Sequence, residues 1–478
     1  MEIFILAAFA VYMVVLLLIG FLAHRQSSSE TDFVIGNRSL NFWVTAMSAH
    51  ASDMSSWLFM AFPAMIFTGG IPQIWVAVGL IVGMFCNWHF VAPRLRVATE
   101  KLDCYTLSTF FQKRFHDKGS SIRIITALLC IFFLTWYLAA GLIAMGLLFE
   151  SVFGINYMLG MLIALSVGTA YTLFGGYVTV AWVDLFQALF LLIVILIVPV
   201  VALNSLGGPE AFWHALSLKN SPSLHLLDNG TAWDVFKVFA LSFGWGLGYF
   251  GMPHIVTKFM GIKNPADLKK SKYFGIAWQT LALSAAAFIG LVGVVYFPLG
   301  LANSEMVFVD MVKSLFHPFI VGLFLCGLVA ANISTMDSQM LVISSVITED
   351  IYRHFFARKP SSETLLRITR FSMLVVALVA FALASSRSTS VARAVYYAWI
   401  GLGCSFGPLM IMALYDPKVN RAGALVGLIL GGAMGIGWPI VNPLITSLEI
   451  PGLVPGFVLG VIAIYSVSRI ATKRVVQV

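Results

Sequence analysis

Apolar stretches long enough to cross a bilayer recur thirteen times along this chain. They fall near residues 3–23, 40–68, 73–93, 121–148, 156–174, 179–204, 231–257, 273–297, 317–346, 367–385, 391–414, 421–440 and 453–470. A helix needs about 20 mostly apolar residues to span hydrocarbon, and in lipid only helices and closed barrels satisfy every backbone N–H and C=O. Runs of this length dictate one fold class, an all-α polytopic membrane protein with about thirteen transmembrane helices. Only 10% of the 478 residues are charged, against about 25% in soluble domains, so a solvated surface of ordinary size cannot be built. The first run opens with Glu2 and is followed, not preceded, by the basic pair His24-Arg25. That pattern marks an anchor rather than a cleavable leader.

The connections between runs fix an orientation. With the N-terminus outside, 24 of the 29 Lys and Arg residues fall in inward connections, most of them in 94–123, 258–272 and 353–370. Four (Lys219, Lys313, Arg387, Arg393) fall in outward ones, and Lys237 lies within a span. Positive charge accumulates on the cytoplasmic side of membrane proteins, so the N-terminus is expected outside and the C-terminus inside. The net charge of +8 then belongs to a membrane face and gives no reason to expect nucleic acid as a partner. The five cysteines show no CxxC pair and are expected as small packing residues rather than a disulfide framework or a zinc site.

Two runs look broken. The second contains SAHASDMSSW (48–57) and the seventh contains SFGWGLGYFG (242–251), 194 residues apart. Each opens a block of five runs. Since five is odd, a second copy enters the membrane from the opposite side, as in the inverted repeats of secondary transporters, whose interrupted helices hold the binding site. Close packing of small residues is the competing explanation for serine and glycine in such helices. The expected organisation is one transporter domain over 1–478. Its first repeat covers about 40–204 and its second about 231–414, with spans 3–23, 421–440 and 453–470 at the periphery.

Polar residues within apolar runs are the candidates for chemistry. A carboxylate at membrane depth costs several kcal/mol by most estimates, which singles out Asp53, Asp184 and Asp337. Carbonyls freed at a helix break can hold a cation together with hydroxyls from a neighbouring span, and AANISTMDSQMLVISS (330–345) offers Ser334, Thr335 and Ser338. Back-bonding of those hydroxyls to the preceding turn is the alternative. Trp245 and Tyr249, beside the second break, and Tyr137 can wall a small apolar ligand. Glu349 and Asp350, at the end of the ninth run, are expected as paired surface charges.

Together SAHASDMSSW, WGLGYFGMPHIVTKFM (245–260) and STMDSQMLVISSVITED (334–350) resemble the sodium:solute symporter family, and within it the bacterial sodium/proline symporters. The likeness covers nearly the whole chain. It implies a LeuT-type core in spans 2–11, inward transport on a sodium gradient, and sodium as the co-transported ion. The implied sodium ligands are the backbone oxygens of Ala51, Met54 and Ala331 with the hydroxyls of Ser334 and Thr335. The implied solute pocket involves Ser55, Tyr137, Trp245, Tyr249 and Pro253, with Ser56 beside it. Asp53 matches an aspartate needed for sodium coupling, expected to shape the break; Asp184 matches another acidic coupling position; Arg38 matches an arginine at the cytoplasmic entrance. His50, Ser56 and Met252 stand where glycine, glycine and glutamine are expected, and Asp337 adds a carboxylate. With Asp184 or Ser338, Asp337 can form a second cation site.

The expected function is therefore sodium-coupled symport of a small solute, most simply L-proline, with Na+ and the lipid bilayer as partners, in a bacterial inner membrane. Another small solute is the alternative. A channel would need a continuous polar path or repeated filter segments, and a membrane enzyme would need a grouping of the scattered histidines that only folding can supply. A solute sensor would need a signalling domain, which the short basic tail SRIATKRVVQV does not suggest.

Overall fold

The computed structural model describes residues 2–24, 30–218, 225–227, 231–356, 361–445 and 450–475. Of the charges counted above, Arg25, Lys219, Arg358 and Lys359 lie outside the described residues. Among the described residues the regular structure is helical, and the extended pairing is a single isolated bridge between Leu40 and Ile262.

After α1 (Glu2–His24) and the short α2 (Glu30–Ile35), the second span divides into α3 (Phe42–Met54) and α4 (Ala61–Gly69). Asn41 starts α3 by accepting the Val44 N–H on its side chain, which satisfies one of the orphan donors of a first turn. Next come α5 (Ile74–Cys86), α6 (Ala92–Lys101), α7 (Leu107–Arg114), α8 (Ser121–Phe153), α9 (Tyr157–Ser205) and α10 (Gly208–Ser217). The 49 residues of α9 hold two runs of the sequence and bend at Gly176, whose φ of 64° suits a residue without Cβ. The seventh span divides into α11 (Ala232–Gly246) and α12 (Pro253–Met260). The chain continues through α13 (Leu268–Tyr296), α14 (Val307–Leu315), α15 (Pro318–Ser345), α16 (Arg353–Phe355), α17 (Ser362–Ser385), α18 (Val391–Tyr415), α19 (Arg421–Ile445) and α20 (Leu453–Val475).

Among the described residues ten helices are long and apolar enough to cross a membrane, and α11 with α12 makes an eleventh span bent by 51°. The expected thirteen is reached only if the two shorter apolar helices, Ser56–Gly69 and Tyr157–Ala170, are each counted as well.

Burial separates centre from periphery. The apolar stretches of α15 and α18 are 83% buried, those of α1 and α20 only 28%. Helices that are hydrophobic all round belong in a core or against lipid. Here α15 takes the core, packed on α9, α3, α8 and α1, while Val14, Leu18, Ile193, Phe371 and Ile462 stay exposed on the outside, as a bilayer allows.

The two broken spans cross antiparallel. Leu40, just before α3, pairs with Ile262, just after α12, and Asp53 at the end of α3 meets Tyr249 in the tight turn between α11 and α12. The basic connections gather at one end of the bundle. Arg38 donates to the Met260 and Cys104 carbonyls, Arg96 to the Ile262 carbonyl, Arg123 to Asp350, and Arg421 to Asp117. Lys258, counted above as a loop charge, is a correction: it lies inside α12 and is 1% exposed. A second correction concerns Glu349 and Asp350. They are paired with Arg353 and Arg123, but Asp350 is fully buried and Glu349 nearly so, because a widened turn at Val346–Tyr352 rolls both carboxylates inward.

Candidate functional site

The site grows out of the end of α3. The last four carbonyls of a helix have no partner inside it, and Ser55 stops the helix with φ 46° and ψ −172°, a conformation rare for a residue with a side chain. The Ser55 hydroxyl eases that turn by accepting the Trp57 N–H at 3.1 Å. Ala51 and Met54 are therefore among the last-turn residues whose carbonyls α3 leaves without a partner inside the helix. Across from them α15 supplies two hydroxyls. Ser334 Oγ lies 3.0 Å from the Ala51 oxygen and 3.0 Å from the Ala331 oxygen. Thr335 Oγ1 lies 3.4 Å and 3.1 Å from the same two. Back-bonding and convergence on α3 are thus both present. Four of the five oxygens expected around the ion share one buried locus, and Met54 stands at the break beside them.

Asp53 does not join that group. Its Oδ2 accepts the Tyr249 hydroxyl at 2.6 Å, and Tyr249 in turn accepts from Gln279 at 2.9 Å. The Tyr249 carbonyl accepts from Asn87, which sits in a widened turn (Asn87–Val91) after α5. One carboxylate so ties the break in α3–α4 to the break in α11–α12.

The glycines of the second break serve close packing, the competing explanation raised for such helices. None of those in 242–251 has positive φ. They allow close approach: a Cβ on Gly246 would sit 2.4 Å from the Gly79 oxygen, one on Gly248 2.0 Å from Trp399, and one on Gly251 2.4 Å from the Leu402 oxygen. The break itself falls at the extended Met252, where Pro253 starts the next helix and lacks the N–H to continue the previous one.

Two adjoining cavities lie between the breaks. Aromatic rings wall one: Trp57, Tyr137, Trp245, Tyr249 and Trp399, with Asp53 and Met54. Trp245 packs 5.1 Å from Trp57 and 5.2 Å from Tyr396 between ring centroids. Polar groups line the other: Ser55, Ser56, Asn332, Thr335 and Gln339, again with Tyr137. Ser56 Oγ, Asn332 Oδ1 and both polar ends of Gln339 are buried there without a hydrogen-bond partner among the described residues. Pro253, expected with Trp245 and Tyr249, instead lines a third cavity with Lys258, Ser338 and Tyr177, which runs to Tyr105 and Thr106 at the basic end.

Asp184 and Asp337 occupy separate places. Asp184 Oδ2 accepts from Ser48 at 2.6 Å, from Lys258 at 3.1 Å and more weakly from Ser52 at 3.4 Å. Ser338 reaches this group through Ser52, hydroxyl to hydroxyl at 2.8 Å. Asp337 turns to α9 and accepts from Thr172 at 3.0 Å. Of the two partners expected for Asp337, Asp184 lies in this separate cluster and Ser338 joins that cluster through Ser52. Arg38 lies at the basic end, bridging α6, the segment at Cys104 and the end of α12. His50, where glycine was expected, is accommodated because Gly275 faces it: a Cβ there would lie 2.2 Å from His50 Nε2.

Sequence reasoning missed Lys258, Asn332, Gln339, Trp57, Trp399, Asn87 and Gln279. A signal existed for Gln339 and Asn332, neutral amides inside a motif already singled out. For Asn87, Gln279 and Trp399 it did not, since each owes its place to a partner far along the chain.

Comparison with known proteins decides the family. The Sodium:solute symporter family profile matches residues 33–431. This chain belongs to that family. The osmoregulated proline transporter OpuE of Bacillus subtilis (strain 168) is 38% identical over 478 residues, covering 99% of this chain and 96% of the relative. A sodium/proline symporter of Staphylococcus aureus (strain JH9) is 38% identical over 476 residues, covering 97% and 92%. The structure of a Na+-coupled sialic acid symporter, substrate-bound and outward-open, matches with a TM-score of 0.84 over 98% of both chains at 18% identity. Mhp1, a nucleobase-cation-symport-1 family transporter in a closed conformation, matches with 0.58 over 93% of this chain and 95% of its own at 16% identity. The shared architecture is the LeuT-type fold. All the site residues named above lie within the part of the chain that this symporter family's profile covers.

Proposed function

We propose that this symporter carries L-proline into a bacterial cell across the cytoplasmic membrane, coupled to sodium, by alternating access of two inverted five-span halves. The observation that carries the reading is the convergence of Ser334 and Thr335 on the carbonyls of Ala51 and Ala331 at the break after Met54. Oxygens 3.0–3.4 Å apart are spaced like neighbours in the shell of a hard cation bound at about 2.3–2.6 Å. All five donors are neutral. A divalent cation draws on carboxylates, so an uncharged set suits a monovalent ion. On binding, sodium accepts lone pairs that now serve hydrogen bonds between these groups, and the hydroxyl protons turn away.

Proline is a zwitterion with an apolar ring. The aromatic walls suit the ring, and the adjoining amides and hydroxyls suit the charged ends, once the two narrow cavities open to admit it. The named transport of proline by relatives at 38% identity supports the same solute. Asp53 and Tyr249 link the ion side to the solute side, and each ligand then strengthens the other's binding by the same factor. With the basic end facing the cytoplasm, the N-terminus lies outside and the C-terminus inside. One sodium moving down 100 mV supplies about 2.3 kcal/mol. That sustains about 50-fold accumulation of a net-neutral solute, at about 1.4 kcal/mol per tenfold.

Labelled L-proline uptake into proteoliposomes, with and without an inward sodium gradient, tests the reading. Uptake that needs the gradient supports it, and equal accumulation without sodium refutes the coupling. If sodium drives a more polar zwitterion and leaves proline outside, the solute assignment falls and Ser56 is the first residue to revert to glycine. A finer check is Tyr249→Phe, which leaves Asp53 Oδ2 without its donor. A hydrogen bond to a charged group contributes about 1.5–3 kcal/mol, so sodium titration of proline uptake is expected to show half-saturation raised by about 10- to 100-fold.

A further inference from the structure

The cluster around Asp184 has the composition of a cation site, with its cation already built in. Asp184 is fully buried and Lys258 is 1% exposed. The ammonium lies 3.1 Å from Oδ2, the oxygen that also accepts from Ser48 and Ser52. Asp184 Oδ1 is buried without a hydrogen-bond partner among the described residues. Ser338 extends the oxygen set through Ser52. The ammonium is held from behind as well: the Tyr177 ring centre is 5.2 Å from Nζ, and the Tyr177 hydroxyl donates to the Thr257 carbonyl beside it. Lys258 and Ser338 both line the narrow cavity that reaches Tyr105 and Thr106 at the basic end, so removing the lysine side chain enlarges that cavity beside the cluster.

We propose that Lys258 is a tethered cation that occupies a sodium position on Asp184, Ser48, Ser52 and Ser338, and thereby keeps the number of co-transported sodium ions one lower than the oxygen set permits. The reason is charge balance. A buried carboxylate needs a partner, and breaking such a pair by removing one member leaves an uncompensated charge. In this protein the vacated place is lined by one carboxylate and three hydroxyls and opens to a cavity, so a mobile cation replaces the ammonium. Lys258 is thus a stoichiometry-determining residue. The proposal rests on the sodium-coupled reading above.

The test compares the wild type, Lys258→Met, and the double variant Asp184→Asn with Lys258→Met, which removes both charges. Equilibrium 22Na+ binding to the purified full-length protein reports ions per molecule whether or not transport survives. Initial 22Na+ and labelled proline fluxes in proteoliposomes at clamped voltage report the transported ratio. Lys258→Met is expected to bind one more sodium than wild type, with the sodium-to-proline ratio and the Hill coefficient for sodium rising from about 1 toward 2. The double variant is expected to return to the wild-type count. An unchanged sodium count in folded Lys258→Met overturns the proposal, as does uptake by that variant that becomes proton-dependent with no added sodium. Failure of wild-type uptake to need sodium falls on the functional reading instead. The one-ion difference between variant and wild type bears on Lys258 alone.

Discussion

Replacing both hydroxyls, Ser334→Ala with Thr335→Ala, is expected to raise the sodium concentration for half-maximal proline uptake by at least about 100-fold. Each hydroxyl faces the Ala51 and Ala331 carbonyls in a site closed to water. A neutral donor group to a full charge contributes about 1.5–3 kcal/mol, so losing two removes about 3–6 kcal/mol, or roughly 10²- to 10⁴-fold. Labelled uptake measured against external sodium gives the number. Thr335→Ser keeps the oxygen and drops one methyl, and its sodium dependence is expected to stay within a few-fold of wild type. If the double alanine variant folds and keeps its sodium affinity, the ion lies elsewhere and the assignment of Ala51, Met54 and Ala331 falls with it.

The second large effect is on the fold. At the crossing of α5 and α11 two backbones touch: a Cβ on Gly83 would lie 2.2 Å from the Gly246 oxygen, and one on Gly79 2.1 Å from the Ser242 oxygen. These neighbours are main chain and have no rotamer to change. Inserting even one carbon forces the helices apart and opens the aromatic cavity, whose Trp245 sits one residue from the contact. Overpacking typically costs about 1–3 kcal/mol and more where nothing can yield, so Gly83→Ala is expected to lower the thermal midpoint of detergent-purified protein by several degrees. Gly83→Val is expected to leave little folded material. Gly437→Ala in α19 is the control, because nothing lies within 4 Å of its Cβ position. A Gly83→Ala protein as stable as Gly437→Ala would show that the two helices do not meet there.

Much of the candidate ion site was legible from local sequence. Ser334, Thr335 and Asp53 were found because hydroxyls and a carboxylate inside apolar runs are costly wherever they fall, and cost is a property of the run. The break after Met54 was legible for the same reason. Its counterpart falls just past the stretch 242–251 that marked it: Gly244, Gly246, Gly248 and Gly251 serve close approach, while the chain breaks at Met252–Pro253. Lys258 shows where such reading stops. Five residues past Pro253, it was counted with the loop charges, and only the length of α12 and the position of Asp184 on α9 show that it is interior. Pro253 was grouped with Trp245 and Tyr249 by adjacency along the chain, yet the bend between α11 and α12 sends it toward the basic end.

By itself the sequence determined that this chain lies in a membrane, which end gathers its basic loops, that two of its spans are interrupted, and which short motifs carry polar groups at depth. These follow from the energy of placing each segment in lipid or water, a sum over neighbours in sequence. Tertiary structure alone decided which polar groups meet. Asp53 faces Tyr249 across 196 positions, Ser334 faces Ala51 across 283 and Lys258 faces Asp184 across 74. The reason is that an unpaired buried charge or carbonyl must find a partner, but which partner is set by how the helices pack, and no window along the chain contains both.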